Sequence, residues 1–115
     1  MPVLKIFYTE TLDDAARDNS AVIQRTLEGM MLNTLHADPA NCQIILVSAV
    51  QIAPMPVYVD IQFRANEHRT RDVVSNAMEE VAEVLLRTFG TSIRIRAFDI
   101  DQAALHAFDV ERPDA

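Results

Sequence analysis

The order of the predicted elements constrains the fold of this chain more than any other feature. Short runs rich in β-branched and aromatic residues, typical of strands, flank two longer segments in which apolar residues recur at helical spacing. The predicted strands are Val3–Tyr8, Gln43–Val50, Val57–Phe63 and Ser92–Ile100. Because a long helix separates the strands of each pair, each pair should be parallel and joined by a right-handed crossover. The sequence therefore predicts one β-α-β unit used twice, over about residues 1–54 and 55–115.

Both helices have recognisable ends or apolar stripes. In the first, Thr11 is the predicted N-cap and two aspartates follow it in the first turn. The stripe of this helix consists of Ala16, Ile23, Leu27, Met30 and Met31. Gly29 lies within it at a cost of about 1 kcal/mol against alanine, so we expect something to pack closely there. In the second helix, Thr70 is the predicted N-cap and Gly90 ends the segment.

The two units together predict an α+β fold in a single domain, residues 1–115, with a four-stranded mixed sheet and both helices on one face. The nearly unbroken apolar run of the second strand suits burial on both faces. In the last strand, by contrast, Arg94, Arg96 and Phe98 alternate with apolar residues. Four strands cannot close on themselves, so the bare face of the sheet predicts an oligomer.

Composition excludes several functional classes. The 115 residues carry a net charge of -7, which argues against nucleic acid or an anionic membrane as the main partner. One cysteine, Cys42, excludes an internal disulfide, and two glycines leave no glycine-rich phosphate loop. The amino terminus lacks a signal-peptide pattern, and the apolar run 44–57 is interrupted by prolines, so we expect a cytoplasmic protein without a membrane span.

Several other polar groups predict no special chemistry. Three histidines lack metal-ligand spacing and are expected to be solvated: His36, His68 and His106. No metal or organic cofactor is predicted. Glu79, Glu80 and Glu83 are expected on the solvated side of the second helix. Cys42 is expected to be a small buried apolar group.

Pro2 is the residue with the most distinctive chemistry. Methionine before a small residue is normally removed, and that would leave Pro2 with a free secondary amine. An α-amino group titrates near ~8, and burial lowers its pKa further, so it can be neutral at pH 7 and still accept a proton beside a carbonyl. A retained Met1 would block this amine.

The β-α-β-β-α-β order with proline in second place resembles the tautomerase superfamily, which includes macrophage migration inhibitory factor and 4-oxalocrotonate tautomerase. The 5-carboxymethyl-2-hydroxymuconate isomerase type matches without gaps from about Tyr58 through Phe89, and again over residues 97–101. The resemblance implies a homotrimer in which Pro2 is the catalytic base. This chain departs from that type in having no arginine in its second strand and no glycines before its second helix.

The resemblance also implies roles for arginines. Arg69 precedes the Thr70 cap, where related dehalogenases and decarboxylases carry a substrate-binding arginine; an exposed loop arginine is the alternative. Arg94 and Arg96, which share a strand face with Phe98, match residues that line a neighbouring subunit's pocket and would make it select anions. Alternatively, they protect an edge strand or form ion pairs between subunits.

The predicted function is therefore that of a tautomerase acting on a small 2-oxo or 2-hydroxydienoate acid, with no cofactor. Two alternatives stay open. One is water addition to, or dehalogenation of, a small acid, with protonated Pro2 as the acid. The other is a non-catalytic trimer that binds a small acid or another protein.

Overall fold

The computed structural model describes residues 2–53 and 55–113. The strands are β1 (Val3–Thr9), β2 (Gln43–Ala49), β3 (Val57–Arg64) and β4 (Ile93–Ile100), and the helices are α1 (Asp13–Asp18), α2 (Ser20–Asn33) and α3 (Arg71–Phe89). The strand order is β2-β1-β3-β4. The pairs β1–β2 and β3–β4 are parallel, whereas β1 and β3 are antiparallel, so the predicted mixed sheet of two β-α-β units is confirmed. None of the helices in the described ranges is long and apolar enough to span a bilayer.

The first helical segment is two helices, and the prediction of one helix capped by Thr11 was wrong. A 3-10 turn over Glu10–Leu12 precedes α1, and Thr11 lies within that turn. The break between α1 and α2 falls at Asn19, whose side-chain amide donates to the Ala15 carbonyl at 2.8 Å. Asparagine competes in this way with the helical backbone, which interrupts the helix without changing its apolar stripe.

The second crossover helix has the predicted ends. The Val73 N–H donates to the Thr70 hydroxyl at 3.3 Å, which satisfies one of the free donors of the first turn of α3. Gly90 follows the helix with φ 61°, a left-handed conformation that suits glycine, and its N–H donates to the Leu86 carbonyl at 2.8 Å. The Thr70 cap adjoins the loop that precedes α3, which carries Arg69.

The core lies between one face of the sheet and the helices. Fully buried side chains from the central strands and from α2 and α3 fill it, among them Leu4, Ile6, Val59, Ile61, Leu27, Val81 and Leu85. Met30 and Met31 are buried there, as predicted. The expectation for Gly29 was wrong: within the described part of the chain, nothing lies within 4 Å of the position that a Cβ would take.

No helix of the described ranges covers the other face of the sheet, which we call the open face. Three rows of side chains cross it, from β2 to β4. In order from the Pro2 end, they are Gln43, Val3, Gln62 and Phe98; Ile45, Lys5, Asp60 and Arg96; Val47, Phe7, Tyr58 and Arg94. In this chain β2 is an edge strand and its apolar residues are only half-buried, so the prediction of burial on both faces was wrong for the chain taken alone.

Candidate active site

Pro2 lies fully buried immediately before β1. Its carbonyl accepts a hydrogen bond from the Gln43 N–H at 3.1 Å, which ties it to the start of β2. On the other side of β1, Val3 pairs with Gln62, so the next residue of β3, Phe63, lies beside Pro2. Leu4 and Ile61, the next pair that points toward the core, are both buried, so Pro2 and Phe63 share the helix side of the sheet. Met1 lies outside the described residues.

Arg69 is buried, with 8% of its surface exposed, which excludes the alternative of an exposed loop arginine. Its Nε donates to the Leu35 carbonyl at 3.2 Å and its Nη1 to the Arg64 carbonyl at 2.8 Å. The guanidinium carbon lies 5.9 Å from the centre of the Phe63 ring, within the range of a cation–π contact. Arg69 is thereby held against the aromatic residue that lies beside Pro2.

The charge of Arg69 is not neutralised by a neighbouring carboxylate. Among residues 2–53 and 55–113, no carboxylate comes within salt-bridge distance of its guanidinium. Burial lowers the pKa of Arg69, and the weaker influences of Cys42 and Asp99 oppose that shift. A buried cation that is hydrogen-bonded only to carbonyl oxygens favours the approach of an anion.

An open cavity of about 530 Å³ adjoins Arg69 on the helix side of the sheet. Phe63, Arg69 and Arg96 line it together with residues of α3 and β4. Arg96 reaches it from the edge strand, and its Nη1 donates to the Ile95 carbonyl at 2.9 Å. The structure thus brings two of the predicted arginines to one cavity, next to the residue that lies beside Pro2.

Arg94 and Phe98 lie on the open face, away from this cavity. Phe98, 46% exposed, belongs to the row nearest Pro2. Arg94 belongs to the row of Phe7, five residues along β1 from Pro2, or roughly 17 Å at ~3.4 Å per residue. It lines a separate apolar cavity of about 480 Å³ with Phe7, Tyr58 and the loop after β2. Within one chain, therefore, Arg94 is too distant to act with Pro2.

Three polar residues at the Pro2 end of the sheet were not predicted as site residues. Arg71 and Asp99 line the Arg69 cavity. Arg64 ends β3, and its Nε is buried with no hydrogen-bond partner among the residues described. The signal for Arg71 was its place two residues after Arg69 at the start of a helix. No sequence signal marks Arg64 or Asp99, because their proximity depends on strand register.

The remaining candidates are more constrained than predicted. His36 and His68, expected to be scattered and solvated, stack with ring centres 3.6 Å apart. Cys42 is half-buried, its Sγ donates to the Asp38 carbonyl at 3.2 Å, and burial raises the pKa of its thiol. Three carboxylates on α3 are exposed, as predicted: Glu79, Glu80 and Glu83. No group of three or more ligand-type side chains within the described ranges is placed to hold a metal ion.

This chain is similar to known proteins in its structure, but its sequence matches no known family. No protein-family model matches the sequence, and no curated protein is significantly similar to it.

Solved structures are similar over nearly the whole chain. A fused 4-OT designated Q0, described as a wild-type symmetric trimer, is 16% identical over 91% of this chain and 90% of its own, with a TM-score of 0.71. The protein N1, a member of the cis-3-chloroacrylic acid dehalogenase family, is 11% identical over 92% and 80%, with a TM-score of 0.74. Pt0534, inactivated by 2-oxo-3-pentynoate, is 16% identical over 91% of each chain, with a TM-score of 0.72. The resemblance to the tautomerase superfamily is thereby confirmed at the level of the fold.

Proposed function

We propose that this chain is a tautomerase that moves a proton within a small 2-oxo or 2-hydroxydienoate acid, and that Pro2, after removal of Met1, is the general base. The observation that carries this proposal is the placement of a fully buried Pro2 beside Phe63, the residue over which the buried Arg69 guanidinium lies. A base and an anion-binding group thus lie at the same end of the sheet.

The chemistry follows from these two groups. A buried prolyl amine has its pKa lowered from about 8, so a neutral nitrogen is available to accept a proton from the carbon next to a ketone. The electron pair of that C–H bond moves toward the ketone oxygen, which becomes an enolate. Positive charge from Arg69 and Arg96 stabilises the carboxylate and the developing enolate. The protonated proline then returns the proton to another carbon or to the enolate oxygen.

Two of the structural neighbours support the substrate class. The names of N1 and Pt0534 refer to cis-3-chloroacrylic acid and 2-oxo-3-pentynoate, which are both small unsaturated carboxylic acids. A cavity of about 530 Å³ with three arginines in its lining, Arg69, Arg71 and Arg96, suits a ligand of that size and charge.

The proposal includes a homotrimer. The open face exposes part of Phe98 and half-buries Phe7, Tyr58 and the apolar residues of β2, and a second copy would cover these side chains. Arg94 and Phe98 lie on that face, and Arg94 is too far from Pro2 of its own chain to act with it. We therefore assign both residues to a neighbouring subunit's pocket. Size-exclusion chromatography with light scattering measures the assembly, and a monomer would contradict this part of the proposal.

A dehalogenase- or hydratase-type reaction is the second candidate, and the similarity to the cis-3-chloroacrylic acid dehalogenase family member favours it. In that reaction water adds to the unsaturated acid, and protonated Pro2 supplies the proton. Chloride release from cis-3-chloroacrylic acid measured beside phenylpyruvate ketonisation separates the two activities.

The proposal is tested with the purified native protein. Its intact mass establishes whether Met1 is absent, and ketonisation of phenylpyruvate and of 2-hydroxymuconate is then measured for the wild type and for Pro2→Ala. Pro56→Ala is the matched control, because Pro56 precedes β3 as Pro2 precedes β1. We expect turnover that Pro2→Ala abolishes and Pro56→Ala preserves.

A covalent probe gives a second test that does not depend on the substrate. A neutral amine adds to the triple bond of 2-oxo-3-pentynoate, and the adduct keeps every atom of the probe. We expect one equivalent per chain, mapped to Pro2 and absent from Pro2→Ala. A retained Met1, turnover indifferent to Pro2, or labelling elsewhere would contradict the role of Pro2 as the base. The absence of any turnover would leave a non-catalytic binding protein as the interpretation.

A further inference from the structure

We propose that His68, stacked on His36, is a positioning residue for Arg69 and makes the orientation of that arginine sensitive to pH. His68 and Arg69 are neighbours in the loop before α3, and they bind successive carbonyls of the loop after α2. The His68 Nε2 lies 3.1 Å from the Thr34 carbonyl, and the Arg69 Nε donates to the Leu35 carbonyl. The acceptor is a carbonyl oxygen, so Nε2 of His68 carries the proton of this hydrogen bond. Two loops from different β-α-β units are thereby joined at two adjacent points.

Backbone hydrogen bonds to the end of α2 hold the loop that follows it, and the histidine stack adds a side-chain contact to that loop. His36 has φ 52°, a left-handed conformation that is strained for a residue with a side chain. Its ring lies 3.6 Å from the His68 ring with an angle of 11° between their planes, so the stack fixes the loop next to the Leu35 carbonyl. The Thr34 hydroxyl donates to a carboxylate oxygen of Glu80 on α3 at 2.6 Å, which fixes the other end.

Protonation acts on this stack through neighbouring charges. A single positive charge is tolerated, because three carboxylates of α3 line the same hollow as His68: Glu79, Glu80 and Glu83. A second charge on the facing ring, at 3.6 Å, is opposed by repulsion between the two imidazolium groups and by the Arg69 cation in the same loop. Cys42 and Asp99 also act electrostatically on the Arg69 cation. Acidification far enough to charge both rings therefore separates them and weakens the hydrogen bond between the Leu35 carbonyl and Arg69.

Two substitutions isolate this mechanism. His68→Gln keeps a nitrogen donor for the Thr34 carbonyl but cannot titrate, and His36→Asn removes the second imidazole with a residue that tolerates positive φ. His106→Gln is the control, because His106 lies exposed in the segment after β4.

The direct measurement follows the Arg69 Nε–H signal in ¹H–¹⁵N spectra of the protein without substrate, assigned by its loss in Arg69→Lys. In the wild type and in His106→Gln we expect this signal at about pH 7.5 and its movement to the position of exposed arginines at about pH 5. In His68→Gln and His36→Asn it should persist to the lower pH. A wild-type signal that does not change, or a loss that both variants share, would overturn the proposal.

The consequence for binding rests on the proposed function and is measured separately. Acidification from about pH 7.5 to about pH 5 should raise the KM for phenylpyruvate about fivefold more in the wild type than in His36→Asn. This is the loss of affinity expected when one orienting hydrogen bond is removed. The pH profiles of kcat should be the same in the two proteins. Pro2→Ala distinguishes the two proposals, because it removes turnover and leaves the titration of the Arg69 signal intact. Equal KM ratios in wild type and His36→Asn would contradict a role of the stack in binding.

Discussion

Replacement of Arg69 by methionine tests whether this side chain supports the fold as well as the anion. Methionine keeps an unbranched apolar stem but removes the donors to the Leu35 and Arg64 carbonyls. A buried acceptor left without its donor costs about 1–3 kcal/mol, so two of them set an upper range of about 2–6 kcal/mol. The burial that lowers the pKa of Arg69 also disfavours the cation, and methionine relieves that penalty. We therefore expect a net loss of about 2–4 kcal/mol in the free energy of unfolding.

Urea unfolding followed by circular dichroism measures this loss, at one protomer concentration for all variants because association contributes to stability. At a slope of about 2 kcal/mol per molar urea, the midpoint should fall by about 1–2 M. Arg96→Met is the matched control, because Arg96 is exposed and, among the described residues, its side chain donates only to the neighbouring Ile95 carbonyl. Its stability should change by less than about 0.5 kcal/mol. Equal midpoints for the two variants would show that the contacts of Arg69 with the two loops do not stabilise the chain.

Three further predictions concern stability and are measured in the same unfolding assay. Gly29→Ala should stabilise the protein by about 0.5–1 kcal/mol, because Gly29 lies within α2 and the described residues leave its Cβ position open. Gly90→Ala should destabilise the protein by about 1 kcal/mol, because Gly90 has φ 61°. Thr70→Ala should cost about 1 kcal/mol and Thr70→Ser almost nothing, since serine also caps α3; equal losses would contradict a role of the hydroxyl. Burial, and then the charge of Asp13, raises the pKa of the Tyr8 hydroxyl. The stabilising contribution of this hydroxyl is therefore complete below about pH 10 and is lost as the pH rises through the folded-state pKa. Tyr8→Phe should reduce this alkaline loss of stability, and an unchanged dependence of stability on pH would refute the prediction.

The elements that sequence reasoning predicted well are those with a local physical signature. Alternation in β4 and the stripe, cap and terminal glycine of α3 are all properties of neighbouring residues, and each is present in the structure. The division of the first helical segment at Asn19 was missed, because a side-chain hydrogen bond to the backbone leaves the apolar periodicity unchanged. Whether β2 is a central strand or an edge strand depends on which strands lie beside it, and its own sequence does not determine that.

The candidate site was predicted in its residue types more than in its arrangement. Position alone identified Pro2, and the place of Arg69 before a helix cap suggested an anion-binding role. The hydrogen bond of Arg69 to the Leu35 carbonyl, and the stacking of His36 on His68 across 32 positions of sequence, are contacts between different β-α-β units. Such contacts have no local signature, since they depend on the crossing of two loops.

The central place of β1 in the sheet has a consequence for how the chain is made. This strand precedes the other three along the chain, yet both of its hydrogen-bonding edges are satisfied only by β2 and β3. During synthesis one edge of β1 therefore stays unpaired until residue 49 has left the ribosome, and the other until residue 64 has left it. An unpaired apolar strand is prone to pair with other chains, so the period before β3 emerges is when this protein is most exposed to aggregation. The proline that precedes β1 acquires its buried surroundings only at the end of that period.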